Sequence, residues 1–248
     1  MPLLKYDRVT IHYEEFGSGY PVLLFSGGSL NSSIEAWHTI TAFDATVDFA
    51  KDFRLIALDI RNAGESWAPI TIEDGWHSYT GDHIRLLDHL GIERCHVLGH
   101  CIGPSFSLHL MQTQPWRVSA AVHATPSGRI GPYKGRRPSF EQWVSTHRNH
   151  SEVTEAVLDQ FAWNLYQRDF IPSVTREFIQ GCQTPMLVLP GHDQWHPPEI
   201  GLELARLAPN SECIHEWVHD AETPEGVRHL ALPGIVDRIR DFMLKHVP

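Results

Sequence analysis

Leu98-Gly99-His100-Cys101-Ile102-Gly103 is the stretch on which the fold turns. It follows a short apolar run at 95–98 (CHVL) and precedes a helical pattern at 105–111. Gly99 and Gly103 flank Cys101 symmetrically, as a tight strand-to-helix turn requires, because only small residues let strand and helix approach. Such a turn lifts the central side chain above the sheet. It sets the Ile102 N–H at a helix N-terminus, where it can donate to an oxyanion. The positive helix end also enriches the thiolate of Cys101, the reactive form of the thiol.

Working outward, apolar runs at 21–25, 53–60, 118–123, 185–189 and 212–217 are bounded by Gly and Pro and read as buried strands of a parallel sheet. Residues 9–14 alternate like a strand with one exposed face. Helical patterns lie between them. At 82–90, Ile84, Leu87 and Leu90 share a face and Gly91 stops the helix. At 198–207, Pro198 sits in the first turn, where helices tolerate it. At 232–246, Ile235, Ile239, Phe242 and Met243 fall together. This alternation predicts an α/β fold, a mostly parallel sheet with helices on both faces. The rhythm breaks at 127–181, which holds Arg129, Arg136, Arg137, Trp143, Phe161, Trp163, Tyr166 and Phe170 without a clear strand. It reads as a helical lid insertion. The expected organisation is therefore a core of 1–126 and 182–248 with a lid of 127–181.

The 248 residues can bury one large core or two small ones. The net charge of −10 argues against a nucleic-acid or anionic-membrane partner, since both need a basic patch. No run approaches eighteen apolar residues, so no membrane span is expected. Residues 1–8 lack a basic head followed by an apolar run, which points to a cytoplasmic protein. Cys95, Cys101, Cys182 and Cys213 are scattered, without a C-x-x-C pair, so neither a zinc knuckle nor a disulfide scaffold is implied. The 17 histidines raise the question of metal ligation. No H-E-x-x-H or H-x-H occurs. His96 and His100 straddle a strand–turn boundary, and His147 and His150 read as a solvated face. No metal and no cofactor is expected.

On these residues the chain resembles the α/β-hydrolase superfamily over nearly its whole length. Residues 99–103 are similar to its nucleophile elbow, with Cys where Ser usually stands. Residues 21–28 (PVLLFSGG) resemble its strand and oxyanion loop, with Ser26 in place of the usual His. Residues 59–66 (DIRNAGES) resemble its Asp-x-Arg-Gly-x-Gly-x-Ser loop, with Asn62 for one Gly. Residues 185–193 (PMLVLPGHD) resemble the strand that delivers the triad acid. The resemblance implies an order of nucleophile, acid and His. Cys101 then takes the first role and Asp193 the second, against the plainer reading of Asp193 as a solvated loop carboxylate. Gly28 and Ile102 would supply the oxyanion N–H groups. Ser26 would tie down its loop, Arg61 would anchor another by a buried hydrogen bond, and His100 would be structural.

The His is less direct. The family places it in a Gly-His pair ahead of the final helix, and alignment on Pro233 puts that position at Gly226. Three candidates remain: His196, three residues after Asp193; His229, just before the last helix; and His219, beside Asp220. Asp193-Gln194-Trp195-His196-Pro197 resembles a pattern of Cys-elbow members, which ranks His196 first. The implied function is a cysteine-dependent hydrolase of an ester, lactone or related activated carbonyl, working through a thioester acyl-enzyme. The alternative is a non-hydrolytic relative lacking the usual His, such as a lyase, acyltransferase or ligand-binding protein. Trp143, Trp163, Tyr166 and Phe170 suggest a small-molecule substrate with an apolar or aromatic acyl group, although packing of lid on sheet accounts for most of them. Both a monomer and a homo-oligomer remain open.

Overall fold

The computed structural model describes residues 2–147, 153–223 and 226–248, without the side chains of 222–228; His150 lies outside the described residues. In chain order the elements are β1 Leu3–Tyr6, β2 Val9–Phe16, β3 Tyr20–Phe25, α1 Glu35–Thr39, α2 Ala45–Asp48, β4 Phe53–Leu58, α3 Trp76–His89, β5 Cys95–His100, α4 Gly103–Thr113 and β6 Val118–Ala124. They continue with α5 Pro138–His147, α6 Glu155–Tyr166, α7 Arg176–Gly181, β7 Met186–Leu189, α8 Pro198–Leu207, β8 Ser211–Cys213, β9 Val218–Thr223, β10 Gly226–Ala231 and α9 Ile235–Lys245. The main sheet has the order β1-β2-β4-β3-β5-β6-β7-β8. It is parallel from β4 to β8, with β1 and β2 antiparallel at one edge.

Alternation along β3 shows how two cores arise. Leu23 and Phe25 point into one, shared with Leu86 and Leu87 of α3, Phe106 of α4 and Leu204 of α8. Val22 and Leu24 point into the other, shared with Phe49 and with Ile239 and Met243 of α9. Side chains of a strand alternate in direction, so a strand buried on both faces must be apolar throughout. The expected mostly parallel sheet with helices on both faces is the observed one.

Three boundaries differ from expectation. Helix α3 begins at Trp76 rather than near residue 82. Its first half buries polar residues, with Asp82 and His83 almost fully enclosed, and these blur the apolar periodicity. Strand β8 ends at Cys213 instead of running on to 217. Trp217 leaves the sheet and is held by its indole N–H donating to the Pro190 carbonyl at 2.8 Å. The chain then forms the β9–β10 hairpin, which mixed polar sequence concealed. Helix α9 starts at Ile235 rather than 232, because Gly234 before it has φ +83°.

The segment between β6 and β7 carries α5, α6 and α7, and its two flanks meet in an antiparallel bridge between Arg129 and Phe170. Phe140, Trp143, Phe161 and Tyr166 from it join the first core. Two buried ionic groups hold the loops below it. Arg61 forks onto Asp82 at 2.8 and 2.7 Å and reaches Asp74 at 2.9 Å. Asp59 binds His12 at 2.8 Å and accepts N–H groups from Ile34 and Glu65. Ser26 ties its own loop by donating to the Ser33 carbonyl at 2.7 Å.

The tightest packing lies at the elbow. A Cβ on Gly99 would sit 2.6 Å from the carbonyl carbon of Gly103, and one on Gly103 would sit 2.3 Å from the Phe25 carbonyl oxygen. Both obstacles are backbone, which cannot swing aside. Gly103→Ala is therefore expected to lower stability by about 1–3 kcal/mol, the usual cost of overpacking. Gly181→Ala, at the end of α7 with open space around it, should stay within about 0.5 kcal/mol of the parent. Urea denaturation midpoints of the two variants check the contrast.

Candidate active site

Cys101 adopts φ +60°, a conformation a non-glycine residue holds only when its surroundings dictate it. They do so here from the end of β6. The Cys101 N–H donates to the Ala124 carbonyl at 3.0 Å, and the Ser127 N–H donates to the Cys101 carbonyl at 2.8 Å. The thiol lies 3.3 Å from the Ser127 hydroxyl. The Gly28 N–H adds to the forces that lower the thiol pKa. Gly28 itself has φ +106°, a turn that favours glycine. Ile102 caps the N-terminus of α4, where N–H groups have no acceptor within the helix.

The acid loop follows β7. A Cβ on Gly191 would lie 2.0 Å from the His196 carbonyl oxygen, so only glycine lets the loop fold back on itself. Asp193 then acts as an internal cap. Its Oδ1 accepts the N–H groups of Trp195 and His196, both at 2.7 Å. Its two oxygens lie 3.1 and 3.0 Å from His196 Nδ1. With Nδ1 committed to the carboxylate, Nε2 is left to face Cys101, and the two residues each favour the other's charged form.

The electrostatics follow from this geometry. Burial alone would push the Cys101 thiol up, but the hydrogen bond and charge of His196, with help from Ser127 and Gly28, bring it down to about 7. Burial disfavours the His196 imidazolium, yet Cys101 and Asp193 together raise it to about 9. Burial acts upward on Asp193 as well, and His196 with the two N–H groups holds the carboxyl below its ordinary value. Each residue thus favours the charged form of the other, thiolate facing imidazolium, and the titration belongs to the pair rather than to either residue. Cys95 is the contrast: full burial without such a partner pushes it up to about 12.

Cys101, Gly28, Ile102 and His196 line one cavity of about 380 Å³, with Ser127 and Tyr166 on its wall. His196 and Asp193 also line a second cavity of about 330 Å³, with His100, His192, Trp217 and His229. The remaining His candidates are placed elsewhere. His229 Nδ1 binds Asp220 at 2.7 Å, and its Nε2 stands 4.0 Å from Asp193, behind the acid. His219 is exposed and turns Nδ1 toward the Asp220 carbonyl at 3.2 Å. Gly226 opens β10, so the position the family keeps for its His lies within the hairpin. His100 is buried, and burial drives its pKa down to about 3, which keeps it neutral beside His196.

Two residues escaped the sequence reading. Ser127 touches the thiol because β6 ends beside the elbow; its only signal was that position after a parallel strand. His192 lies with Asp193 and His229 so that one ligand atom from each falls within 4.8 Å of the others, a grouping able to hold a metal ion. No helix among the described residues is long and apolar enough to cross a membrane.

A family model for the alpha/beta hydrolase fold matches residues 20–174. A putative carbamate hydrolase RutD of Agrobacterium fabrum is 26% identical over 51% of this chain and 47% of its own length. A soluble epoxide hydrolase of Corynebacterium sp. is 32% identical over 40% of this chain and 32% of its own length. The chain thus spans half or less of the length of these curated relatives. The enol-lactonase of Burkholderia xenovorans LB400 is similar in structure, with a TM-score of 0.65, 18% identity and coverage of 98% of this chain and 97% of that one. At that identity the likeness is one of fold.

The site predicts its own titration. Iodoacetamide should label Cys101 ahead of the other cysteines, with a rate that rises through an inflection near pH 7 and is lost below it. In His196→Ala, burial acts on the thiol without its partner. The inflection should then move above about 8.5, the value of a free thiol. Mass spectrometry of labelled peptides across pH measures both.

Proposed function

We propose that this chain, which belongs to the α/β-hydrolase fold family, is a hydrolase that opens an ester, lactone or related activated carbonyl through a thioester on Cys101. One observation carries the reading: the Asp193–His196 pair delivers an imidazole to the Cys101 thiol on the cavity that Gly28 and Ile102 also line. The thiolate attacks the carbonyl carbon and forms the C–S bond. The resulting oxyanion is held by the N–H groups of Gly28 and Ile102. As the tetrahedral adduct collapses, the His196 imidazolium gives its proton to the departing oxygen. Neutral His196 then takes a proton from water, whose hydroxide attacks the thioester. Loss of the thiolate yields the carboxylic acid and restores the starting pair.

Asp193 fixes the imidazole's orientation and stabilises its cationic form. The relatives lend support in kind, since their names denote hydrolysis of a carbamate, an epoxide and an enol lactone. An enol lactone suits a thiol nucleophile well, because its leaving oxygen is a weak base. The non-hydrolytic alternative drew its strength from Gly226 standing where a His was expected. His196 supplies the imidazole from another loop and removes that motive.

Residues 127–181 are assigned the role of lid over a core of 1–126 and 182–248. The lid contributes Arg137, Pro138, Ser139 and Tyr166 to the cavity. Of the four aromatics expected to shape the acyl pocket, only Tyr166 reaches it. Trp143 and Phe170 are buried in the core, and Trp163 is 45% exposed. The proposed substrate is a small molecule with an apolar or aromatic flank. The proposed setting is cytoplasmic, without nucleic acid, metal or organic cofactor, and a homo-oligomer is compatible with it.

Incubation with a 4-nitrophenyl ester or enol acetate, followed by acid quenching, should leave an acyl mass on the peptide containing Cys101. Cys101→Ala should abolish turnover. His196→Ala should lower kcat/KM about 10²–10⁴-fold, the span of general acid–base catalysis. Full turnover by Cys101→Ala would overturn the reading.

A further inference from the structure

We propose that the cavity facing Cys101 accepts a substrate bearing a carboxylate, which Arg137 and the Tyr166 hydroxyl seat at the lid side. The inference rests on Cys101 as nucleophile and goes beyond it by naming a charged group on the substrate.

Arg129 and Arg137 both line this cavity. Among the described residues neither forms an ion pair, unlike Arg61, Arg136 and Arg176 but like Arg8, Arg85, Arg94, Arg168 and Arg238. What sets Arg129 and Arg137 apart is their place: two guanidinium groups without a carboxylate partner border the cavity that Cys101 also lines. Arg137 is only loosely tethered. One of its N–H groups donates to the Gly128 carbonyl at 3.3 Å, and its guanidinium lies over the Tyr166 ring at 5.1 Å. Arg129 stands behind it. Its terminal nitrogens donate to the carbonyls of Gly131, Tyr166 and Gln167, while its Nε is buried without a partner. Burial first, and then repulsion from Arg137, lowers the Arg129 pKa.

The Tyr166 hydroxyl supplies the independent observation. The residue is 1% exposed, its ring packs in the core, and its oxygen borders the cavity without a hydrogen bond of ordinary geometry, the Ser29 hydroxyl being a more distant neighbour on the same wall. A buried hydroxyl left unbonded costs free energy unless something else satisfies it. Ser29 and Ser139 add further hydroxyls to the same wall. The guanidinium fork matches the two oxygens of a carboxylate. Thiolate, imidazolium and the Asp193 carboxylate together carry one net negative charge, which the two guanidinium groups on the lid side outweigh. Ile102, Pro138 and Trp195 line the same cavity and can receive the hydrocarbon between carboxylate and scissile bond.

Protection of Cys101 from iodoacetamide tests this without a known substrate. Glutarate and adipate at millimolar concentration should slow labelling at least about five-fold by occupying the charged wall. Adipamide, and sodium chloride at equal ionic strength, should not. Arg137→Gln should lose the protection, and Arg137→Lys, which keeps the charge but not the fork, should recover part of it. Equal protection by adipate and adipamide, no protection by any carboxylate, or full protection in Arg137→Gln each overturns the anion site while Cys101 still labels. Failure of Cys101 to label selectively without any ligand would instead sink the nucleophile reading, and this inference with it.

Discussion

The approach of Gly103 to the Phe25 carbonyl is the constraint from which the site is built. No side chain separates the start of α4 from the end of β3. The turn between β5 and α4 can therefore be made in a few residues, with Cys101 held at φ +60°. The same contact brings the end of β3 alongside the thiol. Gly27 is part of this packing, since a Cβ there would lie 3.3 Å from the Cys101 Cβ. Gly28 follows it, lines the same cavity as the sulfur, and its N–H helps to lower the thiol pKa. A backbone contact thus fixes both the proposed nucleophile and one proposed oxyanion donor.

The charges around the thiol depend on what is kept neutral as much as on what is charged. His100 is adjacent in sequence, and its ring centre is 6.4 Å from that of His196. A second imidazolium there would oppose the one that the proposed mechanism needs. Burial removes it by pushing the His100 pKa down to about 3. Asp193 is bound on one side by two N–H groups and on the other by the imidazole, so its negative charge is directed at His196.

The parts legible in the sequence were those whose cause is local. Buried parallel strands are apolar runs, and the elbow is a glycine pattern at a strand–helix junction. Both could be read without coordinates. What stayed hidden depends on contacts between distant segments. The first half of α3 buries Asp82 because Arg61, far away in sequence, pairs with it. Ser127 meets Cys101 across the ends of two strands, 26 residues apart. Among the His candidates, the spacing of His196 from Asp193 could be read, but its direction could not. That direction is set by Gly191 lying beneath the His196 carbonyl, a close approach that no periodicity reveals.

The acid and the imidazole sit on one loop, three residues apart, joined by backbone and side-chain hydrogen bonds. Their mutual geometry is therefore carried as a single rigid piece. The one separation this loop does not set by itself is the gap to the thiol, which lies on the turn between β5 and α4. The β9–β10 hairpin is relieved of any duty to present a base at a fixed point. What it brings instead is His229, whose Nε2 stands 4.0 Å from the Asp193 carboxylate, so the hairpin backs the pair rather than supplying it.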